Sequence, residues 1–149
     1  MTCSLRGLLI VGVSLVVCGC DKAQLDDEVD RLCRMDGGIR VYETVRLPED
    51  MVDQRGVVFP KFVGLPSDNG RYGPNFIVTV ERKILVSGNP DLYRTHIKVI
   101  RRSDGKLLGE DVSYTRRGGD IPGPWHPSHH SCPHVTEAPD VIHRVFVKE

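Results

Sequence analysis

Residues 95–115 read THIKVIRRSDGKLLGEDVSYT, and this stretch decides the fold. Two runs rich in β-branched and aromatic residues flank Asp104-Gly105, a dipeptide that suits a two-residue type I′ turn because both central positions accept positive φ. A turn of those two residues sets Ile97 opposite Val112, Thr95 opposite Tyr114 and Arg101 opposite Leu108. A slip of one residue would set Ile97 against Asp111 or Ser113 and turn its apolar face to the wrong side. The expectation is an antiparallel hairpin in that register.

Working outward, residues 76–86 predict a β stretch in which Phe76, Val78, Val80, Ile84 and Val86 share one parity, with Arg82 the interruption. Glu81-Arg82-Lys83 alternatively makes a tight turn between two shorter strands, and Gly88-Asn89-Pro90 closes the segment. Residues 39–47 alternate, with Ile39, Val41, Val45 and Leu47 on one face. Residues 48–54 suit a short helix with Pro48 at its first position and Gly56 after it. The Gly- and Pro-rich stretch 57–74 reads as irregular loop, and 141–148 as a last strand. Upstream, Leu25, Val29 and Leu32 recur at the spacing of one helical face, predicting a helix over 23–35. Cys33 lies at the edge of that face. Asp27–Arg31 and Asp30–Arg34 are spaced for ion pairs one turn apart, and Asp36-Gly37-Gly38 stops the helix. The sum is an α+β domain, an N-terminal helix packed on a small antiparallel sheet.

The 149 residues carry 20 basic and 20 acidic side chains, with 40% hydrophobic and 6% aromatic residues. Charge balance argues against a strongly basic nucleic-acid binder, and the scarcity of aromatics against a stacking platform for single strands. The chain opens MTCSLRGLLIVGVSLVVCGC, where Arg6 precedes an uncharged apolar run over 8–17. That run has the length of a signal-peptide core and is short for a bilayer span of roughly 20 residues. Val17-Cys18-Gly19-Cys20 resembles a bacterial lipobox: an aliphatic residue at −3, a small residue before the cut, and a Cys thiol that accepts diacylglycerol. The expected organisation is a signal peptide over 1–19 and one periplasmic domain over 20–149, tethered to the lipid bilayer through acylated Cys20. Asp21 after the lipidated Cys favours retention in the inner membrane if the envelope is Gram-negative. Of the five cysteines, Cys33 and Cys132 remain once the leader and the lipidated thiol are set aside. An even pair in an exported chain reads as one disulfide; two free thiols, or one metal-ligand Cys, are the alternatives.

The segments GGIRVYETV (37–45), RRSDGKLLGE (101–110) and YTRRGGDIPGPWHPSHHSCP (114–133) resemble a group of small bacterial lipoproteins of proteobacterial type. The likeness spans about residues 33–133. It implies export, lipidation and a Cys pair, and carries no activity, substrate or catalytic residue. WHPS and CP are the fixed parts of that pattern, and His129, His130 and His134 are not.

Several constellations merit chemical weighing. His126, His129, His130 and His134 surround Cys132, and imidazoles suit zinc, copper or nickel. Pro127 and Pro133 stiffen this loop, and a disulfide would withdraw Cys132, so a metal-binding lipoprotein is the alternative rather than the main reading. Ser128 or Ser131 with His126 and Asp120 supplies the residue types of a hydrolytic site, but neither a nucleophile elbow nor a phosphate-cradling loop accompanies them. Trp125 is read as a ring folded over the sheet near Cys132, with an exposed partner anchor as the alternative. Arg101-Arg102 and Arg116-Arg117 occupy hairpin positions that would let them converge on anionic headgroups, although more often such pairs form a solvated face. The expected role is non-enzymatic, without cofactor or nucleic acid: binding or assembly with a membrane or envelope protein. A lipoprotein of the exclusion or immunity type is a further alternative.

Overall fold

In the computed structural model, residues 5–51, 71–72, 75–132 and 141–149 are described, with the backbone alone for 5–20, 51 and 71–72. Helix α1 (Leu5–Asp36) is followed by strands β1 (Gly38–Val41) and β2 (Val45–Leu47), a short 3-10 turn (Glu49–Met51), β3 (Arg71–Tyr72), β4 (Phe76–Val86), β5 (Asp91–Arg101), β6 (Leu107–Arg117), β7 (His129–Cys132), helix α2 (Val141–Val145) and β8 (Phe146–Lys148). The main sheet is antiparallel in the order β1-β6-β5-β4-β3. β7 also pairs with β6, beyond the end of β1 on the same edge. β2 and β8 form a separate parallel pair. This is an α+β fold, as the residue patterns predict.

The hairpin forms, but its register is one residue away from the predicted one. His96 faces Val112 and Ile97 faces Asp111. Two local features cause the shift. The connection is a four-residue loop closed by the Arg101 amide donating to the Lys106 carbonyl (2.9 Å), with Gly105 at φ 70°, rather than a two-residue turn. A bulge then inserts Leu108 between the Ile100–Leu107 and Val99–Gly109 pairs. The slipped register wastes nothing, because the sheet buries apolar residues on both faces. Val112 and Tyr114 join Leu92 and Val29 beneath α1. Val99 lies with Val78 on the opposite face, against α2 and β8 through Val141, Val145 and Phe146. The bulge aims Leu108 into this second cluster, on the face opposite Val112.

Other predicted elements hold or change for similar reasons. β4 runs unbroken through Glu81-Arg82-Lys83, so the alternative turn there is not formed. The 39–47 stretch is two strands in two sheets, because the amides of Tyr42 and Glu43 both donate to the Leu108 carbonyl and bend the chain out of the ladder. Residues 141–148 are half helix: one turn of α2 brings Val141 and Val145 together over Gly109, where no side chain intervenes. The predicted helix ends at Asp36 but begins far earlier, at Leu5. Its packed half buries Val29 fully, with Leu25 and Leu32 beside it. The expected ion pairs are re-partnered, Arg31 binding Glu28 and Asp30 accepting from His130. The predicted helix over 48–54 is represented by the 3-10 turn; its end, Gly56 and most of the 57–74 loop lie outside the described residues. Among the described residues no helix is long and apolar enough to cross a membrane.

Candidate functional site

The chemically richest region lies where α1 leaves the sheet, two residues beyond Cys20. Arg116, at the end of β6, is buried at 2% exposure. Its guanidinium forks onto Asp26 of α1, Nε to Oδ1 at 2.7 Å and Nη2 to Oδ2 at 3.1 Å, while Nη1 donates to the Gly118 and Ser128 carbonyls and to the Ser128 hydroxyl. A buried arginine is tolerated because its donors are used and its charge is paired. Asp120 extends the network. It accepts from Lys22 of α1 (2.7 Å) and from the amide and hydroxyl of Ser128. The Lys22 ammonium, then the two Ser128 donors, hold the Asp120 carboxyl well below the usual carboxylate range. Gly118 and Gly119 make this approach possible. Both have positive φ (85° and 78°), and a side chain on Gly118 would collide with the Asn89 amide that accepts the Gly119 N–H.

From this clamp projects the loop IPGPWHP, residues 121–127, exposed throughout. Trp125 is 57% exposed and its ring rests on the α-carbon of Gly123. The expected burial near Cys132 does not occur. Cys132 already packs against the cluster of Val29, Leu92, Val112 and Tyr114, and prolines 122, 124 and 127 hold the loop off the sheet. An open cleft of about 130 Å³ lies between Trp125, Ile121 and Asn89.

Cys33 and Cys132 form the disulfide, with Cα atoms 6.0 Å apart across 99 positions of sequence. It ties the end of α1 to β7 opposite Tyr114.

A second polar group lies on the same sheet face. Glu110 accepts from the Tyr42 hydroxyl, pairs with His96 Nε2 at 2.8 Å and meets Arg40 at 3.4 Å. Tyr42 first, then His96 and Arg40, depress its carboxyl pKa. Asp36 accepts from Tyr114 and Arg94 and is likewise lowered, chiefly by the Tyr114 hydroxyl. Every acid in this group is met by a donor, which is the pattern of a fastening network rather than of a poised base.

The described histidines of the loop do not gather. β7 alternates, leaving His129 exposed while His130 turns to Asp30. His126 is exposed and His134 lies outside the described residues. Among the described residues no three His, Cys, Asp or Glu side chains are placed to hold a metal ion. Ser128 is engaged by Asp120 and Arg116 rather than by a histidine, and Ser131 by Thr115. The arginine pairs do not converge either. Arg101 faces Phe76 near the turn and Arg116 faces Leu92 at the open end, about 30 Å apart at ~3.3 Å per residue. Arg101 is held by Glu43 and Asp104, and buried Arg116 cannot reach a headgroup.

Sequence reasoning missed the Asp26–Arg116 and Lys22–Asp120 pairs. Each joins residues at least ninety positions apart, and no local spacing announces them. The Arg40–Glu110 pair was accessible in principle, since the two face each other across β1 and β6 once the register is known.

The chain matches no protein-family model, no curated protein and no solved structure.

Proposed function

We propose that the protein is an exported lipoprotein, cleaved before Cys20 and acylated there, whose disulfide-stapled domain serves as a non-enzymatic binding or assembly module on the periplasmic face of a membrane. The observation that carries this reading is the leader ending in Val17-Cys18-Gly19-Cys20, followed within two residues by the part of α1 that is fastened to the domain, through Lys22 to Asp120 in the loop after β6. No linker separates the expected lipid from the folded body, so the domain rides on the bilayer surface rather than reaching across the periplasm. The Cys33–Cys132 bridge is consistent with an oxidising compartment. Asp21 directs the protein to the inner membrane in a Gram-negative envelope. Acyl chains contribute ~0.8 kcal/mol per buried methylene, and two or three of them give a stable anchor.

Intact mass of the protein from its native host, measured with and without reductant, tests this. A chain beginning at Cys20, heavier by a diacylglycerol and gaining two hydrogens on reduction, is expected. A chain that keeps residues 1–19 and lacks the lipid overturns the proposal.

A further inference from the structure

Of the nine large hydrophobic side chains exposed among the described residues, five fall into two groups, and Met35, Val41, Tyr42 and Val80 lie elsewhere. Ile121 (68%) and Trp125 (57%) stand on the loop next to the Lys22–Asp120 contact. Ile84 (65%), Leu85 and Val86 are exposed at the end of β4. The ladder carries Ile84 to Tyr93 and Thr115, and Val86 to Leu92 and Arg116. Both groups therefore lie at the end of the sheet where α1 enters the domain. Gly119 is close enough to Lys22 that a β-carbon added to it would stand 3.2 Å from the Lys22 β-carbon. In the helix, Cys20 lies two residues before Lys22, about 3 Å along the axis at 1.5 Å per residue.

We infer that this end of the domain, led by Trp125 and Ile121, is seated in the headgroup region of the bilayer that holds the Cys20 lipid. The inference rests on the lipoprotein reading above. The occupant is lipid rather than a protein partner because of position: the base of the loop, at Gly119 and Asp120, touches Lys22, two residues after the acylated one, so the short tether holds the loop beside the bilayer. The chemistry agrees. Residues 121–127 contain no Asp, Glu, Lys or Arg, so their transfer from water carries no charge penalty. Indole is amphipathic and suits the interface, where the ring meets acyl chains and its N–H meets polar groups. Lys22 and Asp120 neutralise each other at the loop's base. Ile121 and Trp125 would otherwise stand in water, and here the bilayer covers them. The loop thus fixes the domain's tilt on the membrane and decides which face looks outward.

Trp125 is the only tryptophan of the chain, so its fluorescence reports the loop directly. The mature lipidated protein is reconstituted in phosphatidylethanolamine/phosphatidylglycerol vesicles, and flotation confirms attachment. Relative to detergent-free protein carrying Cys20→Ser, the emission is expected to shift to the blue, to be quenched by lipids brominated near the glycerol end of the acyl chain, and to lose access to aqueous iodide. Ile121→Glu, at an exposed position, is expected to reverse these changes while flotation persists. Protein that floats yet keeps Trp125 open to iodide and insensitive to brominated lipid overturns the inference and leaves the anchor standing; a loop buried against a protein partner would show the same insensitivity to bromine. Mature protein that does not float removes both.

Discussion

Gly109 shows how a single residue governs the packing of two elements. The methyl groups of Val145 and Val141 stand 2.6 Å and 3.0 Å from where its β-carbon would lie, and the Arg40 carbonyl 3.1 Å away. Neither valine can withdraw, since both are fully buried. Gly109→Val is expected to destabilise the domain by about 1–3 kcal/mol through overpacking, read as a lowered urea midpoint with an unchanged slope. Arg116 is the polar counterpart. Arg116→Ala leaves Asp26 without its fork and the Gly118 carbonyl without the guanidinium donor, while the Ser128 carbonyl keeps the Gly118 N–H, at an expected cost of about 2–4 kcal/mol, below the fully buried case because Asp26 keeps partial access to water. Arg116→Lys is expected to recover part of this, since it restores charge but not the bidentate geometry. Equal stability of all three forms in chemical denaturation would contradict the clamp.

At the scale of elements, the disulfide joins α1 to the short strand β7, whose one strand neighbour among the described residues is β6. Closing a loop of 99 positions contributes roughly 4–5 kcal/mol in the chain-entropy account. Reduction, or the double change Cys33→Ser and Cys132→Ser, is therefore expected to lower the melting temperature strongly. Hydrogen exchange is expected to accelerate first in β7 and the last turns of α1, with β4–β6 following only at global unfolding. Uniform protection across all elements after reduction would show that the staple is dispensable. α2 makes a different point about elements. Its five residues are β-branched at three positions, which favours a strand, yet helix forms because only an i, i+4 pair places Val141 and Val145 on the same small area of sheet.

For the whole molecule, the carboxylates predict the response to acid. Asp120, held by Lys22 and Ser128, Glu110, held by Tyr42 and His96, and Asp36, held by Tyr114 and Arg94, all have lowered pKa values in the folded state. A group with a depressed folded pKa contributes stability above its unfolded value and loses it as pH falls. The contribution is expected to be complete above about pH 5 and to decline as the pH drops below about 4. Melting curves from about pH 6 down to about pH 2 check this, and Asp120→Asn is expected to flatten the acid limb. A melting temperature that does not change on acidification would refute it.

Local residue patterns are enough for the α+β class, the central hairpin, the buried stripe Leu25–Val29–Leu32 of α1, its stop at Asp36 and the Cys33–Cys132 pairing. Each follows from signals that act within a few residues, or, for the cysteines, from counting. The hairpin register, the splitting of 39–47 between two sheets, the helical turn at Val141 and the exposure of Trp125 come instead from long-range packing. The register was missed because its reading assumed one apolar face, whereas Val112 and Val99 serve cores on opposite sides. The remaining features depend on the Leu108 bulge, the space over Gly109 and the volume already filled around Cys132. Those are set by packing between residues distant in sequence, which no local pattern encodes.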